Sequence, residues 1–192
     1  GIIIAMNKDS VLLLLVGFLL GFLMTYFWVR DRDLGPIIIR DSAVLARQTV
    51  ESAATAQKRE QLENQLAVDP TNFQVLVQAG NLHFDSQNFP GAADYYRRAL
   101  EVSPNNVNIS TDLGTALYYS NRIDDAVAAF QRSLSIEPNH PQSLFNMGIL
   151  LLEERNDKAG AIRLWERLVE ANPEYPQVEM VNEEIVRLKQ EQ

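Results

Sequence analysis

The sequence contains no cysteine. That absence excludes disulfides, thiol catalysis, a lipid-bearing cysteine and thiolate metal sites, although it leaves the compartment open. Histidine is nearly as scarce: His83 and His140 are the only two, far apart in the chain. Positive charge is also short, with 17 Lys and Arg against 25 Asp and Glu and a formal net charge of −8. A phosphate backbone needs a basic face, so no nucleic-acid partner is expected. Motifs of chemistry are missing too. There is no P-loop, no dinucleotide glycine motif, no HExxH and no Gly-x-Ser-x-Gly. The acidic pairs Glu153–Glu154 and Glu183–Glu184 lack the spacing of a calcium loop and read as solvated faces. The expectation is a chain with no catalytic residue, no metal and no cofactor.

What is present starts with hydrophobicity, 46% of residues against 22% charged, the balance of a globular protein. It is unevenly spread. Val11 to Val29 is a 19-residue run without charge. As a helix it reaches roughly 28 Å, the thickness of a hydrocarbon core. Tyr26 and Trp28 close the run at headgroup level and Arg30 comes next. The run exceeds a usual signal-peptide core and no small-x-small cleavage pattern precedes Arg30, so an uncleaved single-pass anchor in contact with the lipid bilayer is expected. Gly1 and Met6 both stay open as its first residue. Gly17 and Gly21 have the spacing that lets two membrane helices pack closely, or simply reflect how common glycine is in such helices. Arg30, Arg32, Arg40 and Arg47 come after the anchor and outnumber Lys8 before it. By the positive-inside rule, the rest of the chain then faces the cytoplasm; the membrane expected is a bacterial inner one.

Residues 1–10 form a tail, 11–29 the membrane helix and 30–41 a linker broken at Gly35–Pro36. A spacer helix is predicted over 42–69, capped at Asp41 or Ser42, with Leu62, Leu66 and Val68 packing on the next helices of the chain. Residues 70–173 are periodic. Gly80, Gly114 and Gly148 are 34 apart, as are Pro70, Pro104 and Pro138, with Pro173 one residue late. Ala92 with Tyr96 recurs as Ala126 with Phe130, and then as Ala161 with Trp165, displaced by one. The extra residue is therefore expected in the turn "ERNDKAG". Fixed periods of this length mean stacked supersecondary units. First helices are predicted over 72–86, 106–120 and 140–154, second helices over 89–102, 123–136 and 157–171. Each glycine is expected to face the alanine of its partner helix so that the two backbones approach, with the aromatics filling the space beside them.

This pattern resembles the tetratricopeptide repeat over about 72–173. The Leu-Gly slot holds Ala79–Gly80, Leu113–Gly114 and Met147–Gly148, and the later small slot holds Ala99, Ser133 and Leu168. The tryptophan slot departs from the family with Leu76, Ser110 and Leu144, and the tyrosine slot with His83, Leu117 and Leu151. The fold expected is all-α: a membrane helix, a spacer helix and a solenoid of three helix pairs. The tail 174–192, with Val178, Val181, Ile185 and Leu188 on one face, closes it as a capping helix. The resemblance implies a concave groove lined by the first helices and holding a peptide or a partner helix. It places Gln74, Val77, Asn81 and Phe84 there, then Asn108, Thr111, Thr115 and Tyr118, then Gln142, Phe145, Ile149 and Leu152. The first helices carry no Lys or Arg, so the family's basic clamp for carboxylate tails is absent. Residues 70–192 hold 10 Lys and Arg against 17 Asp and Glu, a net of −7, which favours an uncharged or basic apolar segment. His83, in an aromatic slot, is expected to be a packed or hydrogen-bonded core histidine, and His140, in the "EPNHP" turn, to be exposed. Two functions fit: an anchored adaptor or assembly scaffold at a membrane, or a permanent accessory subunit of a multisubunit membrane complex such as an electron-transport or photosynthetic one.

Overall fold

The computed structural model describes residues 53–191. The anchor at 11–29 with Gly17 and Gly21, the tail, the linker and the start of the spacer helix lie outside the described residues. Within them no helix is long and apolar enough to cross a membrane.

Eight α-helices and no strands make up the described residues. They are α1 (53–68), α2 (Phe73–Asp85), α3 (Phe89–Val102), α4 (Val107–Tyr119), α5 (Ile123–Ile136), α6 (Pro141–Glu153), α7 (Lys158–Ala171) and α8 (Val178–Gln190). Capping explains most starts. The side chains of Asn72, Asn106 and His140 accept the backbone N–H of Val75, Ile109 and Ser143 at the heads of the first helices. Asn88 and Asp157 do the same for Gly91 and Gly160 on two second helices. Such caps satisfy N–H groups that have no partner inside the helix, worth about 1 kcal/mol each.

Pro70, Pro104, Pro138 and Pro173 each occupy the second position of a four-residue turn next to a repeat. Asn72 donates to the carbonyl of Asp69, Asn106 to Ser103, His140 to Glu137 and Tyr175 to Asn172. Turns within a repeat need one residue of positive φ, supplied by Gln87, Asn121 and Asn156. Asn88 N–H reaches back five residues to His83 and Arg122 five to Leu117, whereas Asp157 reaches six to Leu151. The extra residue of the third repeat therefore lies in "ERNDKAG", as its sequence spacing predicts.

Helices pack on their chain neighbours in order from α2 to α8, with α4 also touching α6 across α5. Ala92, Ala126 and Ala161 have no exposed surface. What the glycines accommodate differs from the expectation. A Cβ on Gly80 would lie 2.5 Å from the Tyr96 ring, on Gly114 2.6 Å from Phe130, and on Gly148 2.1 Å from Trp165 Nε1. The aromatic ring itself occupies the space above the glycine, because a flat side chain fills that volume better than a second backbone. Phe130 is 1% exposed, and burying it stabilises the fold by about 2–3 kcal/mol.

The 34-residue register also reaches α1. Leu62 and Leu66 stand 34 residues before Tyr96 and Leu100, and both are buried in the same core. Thus α1 occupies the place of a second helix preceding the first full repeat. Val68 is a correction: it is 87% exposed, like its register mates Val102 and Ile136 at 43% and 37%. The last residue of each second helix runs past the core. A further periodic tie is Arg98, which donates to the Pro70 carbonyl, as Arg132 does to that of Pro104. At the other end Val181, Ile185 and Leu188 of α8 bury against the third repeat beside Trp165 and Leu168, as expected of a cap.

Candidate functional site: the face of the first helices

Since residues 3.6 apart complete a turn, positions three and four apart on α2, α4 and α6 line one face. Three adjoining hollows run along it. The first, of about 190 Å³, is lined by Phe84, Tyr96, Asp112, Thr115, Gln142 and Asn146. A smaller one of about 70 Å³ shares Thr115 and Asn146 with it and adds Tyr118, Tyr119, Phe130 and Ile149. The last, of about 180 Å³, continues from Ile149 over Phe145, Leu152 and Glu153 to Met180 and Glu184 on α8. Of the predicted groove residues, Phe84, Thr115, Tyr118, Gln142, Phe145, Ile149 and Leu152 line these hollows. Gln74, Asn81 and Asn108 are exposed outside them, and Val77 packs against the core.

Thr111 is a correction. It is 2% exposed and lies beneath the next repeat, its hydroxyl 2.6 Å from Ser143 Oγ, 3.0 Å from Ser133 Oγ and 2.9 Å from the Val107 carbonyl. Position 111 lies at the edge of the groove face, where a short hydroxyl side chain is closed over by its neighbours. Its register mates Val77 and Phe145 are bulkier and stay half-buried.

His140 is a further correction. Its Nε2–H donates to Asn108 Oδ1 at 3.1 Å, so its Nδ1 is free to accept from the Ser143 N–H and lies 3.0 Å from Ser143 Oγ. The ring is therefore a half-buried neutral cap, and burial holds its pKa below the ordinary value against the raising effect of Glu137. A Ser–His–Asn chain of this kind resembles a hydrolytic triad in outline. Ser143, however, is 0% exposed and has no space beside it for a substrate, so the cluster joins repeats. His83 is half-buried: its Nδ1 accepts from Asn88 Nδ2 at 2.8 Å and its ring lies 5.1 Å from that of Tyr95.

Most polar groups along the groove are already engaged with one another. Tyr96 donates to Asn81 Oδ1 at 2.8 Å, Asn146 Nδ2 to Thr115 Oγ1 at 3.0 Å, and Thr115 to the Thr111 carbonyl at 3.0 Å. Gln142 donates to Asn146 and accepts from Tyr175. Tyr118 donates to Glu153 at 2.7 Å, tying the second repeat to the third, and that bond pushes its pKa up to about 12. Asn81, Asn108 and Gln142, placed in the groove by the resemblance, are thus engaged with neighbouring side chains.

Asp112 lines the groove although no sequence motif singles it out. Burial pushes its carboxyl up to about 6, and no hydrogen bond or ion pair reaches it among the described residues. Its register mates are Gln78 and Asn146, the row next to the predicted one on each first helix, so the period itself could have found it.

A stacked series of helix pairs with a lined face and a capping helix defines an α-solenoid interaction module. The chain belongs to the tetratricopeptide-repeat family: that family's model matches residues 77–143 and 111–177, together more than half of the chain. No curated protein sequence matches it significantly. Among solved structures it is similar to the crystal structure of MamA (15% identity, TM-score 0.61, covering 73% of this chain and 88% of that one). It is also similar to the first repeat domain of Spaghetti bound to the HSP90 peptide SRMEEVD (18%, TM-score 0.56, 64% and 94%). A third likeness is the TPR2B domain of yeast Sti1 in complex with pHsp70 (13%, TM-score 0.57, 62% and 98%). At these identities the likeness shows the fold.

Proposed function

We propose that this tetratricopeptide-repeat module is an adaptor or assembly scaffold anchored through residues 11–29, holding an apolar segment of a partner protein against the face of α2, α4 and α6. The observation that carries the reading is the row of three adjoining hollows with Phe84, Tyr118, Phe145 and Ile149 along it. Not one Lys or Arg lies on those three helices. An acidic tail would meet no counter-charge there, whereas an apolar segment finds aromatic area in a pre-formed groove. Anchoring is supported by the uncharged 19-residue run and orientation toward the cytoplasm by the arginines after it. The test is photocrosslinking in intact membranes with the reactive group at Ile149 in the groove or at Glu170 on an exposed face of α7, with mass spectrometry of the products. Capture of a defined protein set from Ile149 alone is expected; equal capture from Glu170 refutes the groove. A fixed stoichiometry on mild-detergent copurification would instead make the chain a permanent subunit.

A further inference from the structure

Taking this face as the partner's binding site, we propose that its central hollow receives a cationic side chain of the partner segment, arginine in preference to lysine, whose charge pairs with Asp112. Asp112 is half-buried, and holding an ionised carboxylate partly out of water with no protein donor costs stability rather than adding to it. The register mates of Asp112 are the neutral Gln78 and Asn146, so the repeat itself needs only a polar side chain at this position. None of the side-chain donors that line the hollow reaches Asp112: the Tyr96 hydroxyl bonds Asn81, the Thr115 hydroxyl the Thr111 carbonyl, Asn146 Nδ2 Thr115 and Gln142 Nε2 Asn146. With no Lys or Arg on α2, α4 or α6, a donor for Asp112 must come from outside.

The hollow has the remaining features of a guanidinium site. Its volume is about 190 Å³, it is open to solvent, and the Phe84 ring forms one wall. An aromatic face beside a carboxylate suits a planar cation that can stack and donate two hydrogen bonds at once, which favours arginine over lysine. The local field is negative: the carboxylates of Asp112 and Asp85 both act on the Tyr96 phenol and, after burial, push its pKa up. An anionic group is repelled from the same place, which inverts the charge preference of a groove built to hold carboxylate tails.

The experiment uses the full chain in non-ionic detergent micelles and three acetylated, amidated heptapeptides of alternating leucine and asparagine, each with a neutral fluorophore. They differ only at the central position, which is arginine, its neutral isostere citrulline, or glutamate. Fluorescence polarisation should show the arginine peptide binding at least tenfold more tightly than the citrulline peptide, and the glutamate peptide weakest. In Asp112→Asn the arginine-to-citrulline ratio should fall to near one. Equal affinities for arginine and citrulline in the wild type, with both lost in Tyr118→Ala, would overturn the cation site and leave the groove standing. A ratio that survives Asp112→Asn overturns it as well, since another carboxylate must then read the charge. If no peptide binds, or binding ignores Tyr118→Ala, the groove reading falls with it.

Discussion

Adding a single methyl group at Gly114 sets two effects of known size against each other. Alanine in place of glycine inside a helix is worth about 1 kcal/mol of stability through propensity alone. Against that gain, the new Cβ would stand 2.6, 2.7 and 2.9 Å from Cε1, Cδ1 and Cζ of Phe130. Carbon atoms prefer about 3.5–4.0 Å, so the ring must retreat by roughly 1 Å. Little room is open to it: Phe130 is 1% exposed, Ala126 and Ala129 on the same helix are buried with it, and the hollow it borders is only about 70 Å³. Overpacking of this kind costs about 1–3 kcal/mol. Gly114→Ala should therefore destabilise the module by a net of about 1 kcal/mol, lowering the melting temperature by about 2–4 °C for a chain of this size. Gly114→Leu should cost more. The decisive comparison is made in the Phe130→Leu background, where the ring is gone and the same alanine should be neutral or stabilising. The two sites should then be coupled by about 1 kcal/mol or more. Circular dichroism melts of the four proteins in detergent test this. A higher melting temperature for Gly114→Ala with Phe130 intact would refute the claim that the ring is why glycine is there.

The polar groups between repeats give two further tests. Thr111→Val keeps the shape but removes a hydroxyl that Ser133 and Ser143 both use, and should cost about 1–3 kcal/mol by leaving buried groups unpaired; an unchanged melt would show that the three hydroxyls are not coupled. His140 has its pKa lowered in the folded state, so its contribution is present above the unfolded value of 6.5 and is lost as pH falls through the folded one. His140→Asn keeps the cap that Asn72 and Asn106 supply elsewhere but cannot titrate. As pH falls from about 8 into the mildly acidic range below the ordinary histidine value, the wild type should lose stability relative to this variant. Parallel melting curves would assign the pH dependence to other groups such as His83 or Asp112.

Periodicity alone was enough to place the helices. The glycine and proline spacing locates α2 to α7 nearly to the residue, because each helix must return to the same angular position to stack on the next, and the inserted residue shows as a single displacement. The same period identifies the face that α2, α4 and α6 share. Depth along that face is another matter. Thr111 and Phe145 occupy equivalent positions, yet one is sealed beneath Ser143 and the other lines a hollow, because burial depends on what the next repeat lays over each side chain. His140 is half-buried for the same reason, since Asn108, which accepts from its Nε2–H, stands 32 positions away. The engagement of the groove's amides with one another, and the isolation of Asp112 among them, are likewise set only when three helices meet. Angle around a helix is a local property of the sequence, whereas depth, partners and charge environment belong to the packed neighbours, and so were decided by the tertiary structure.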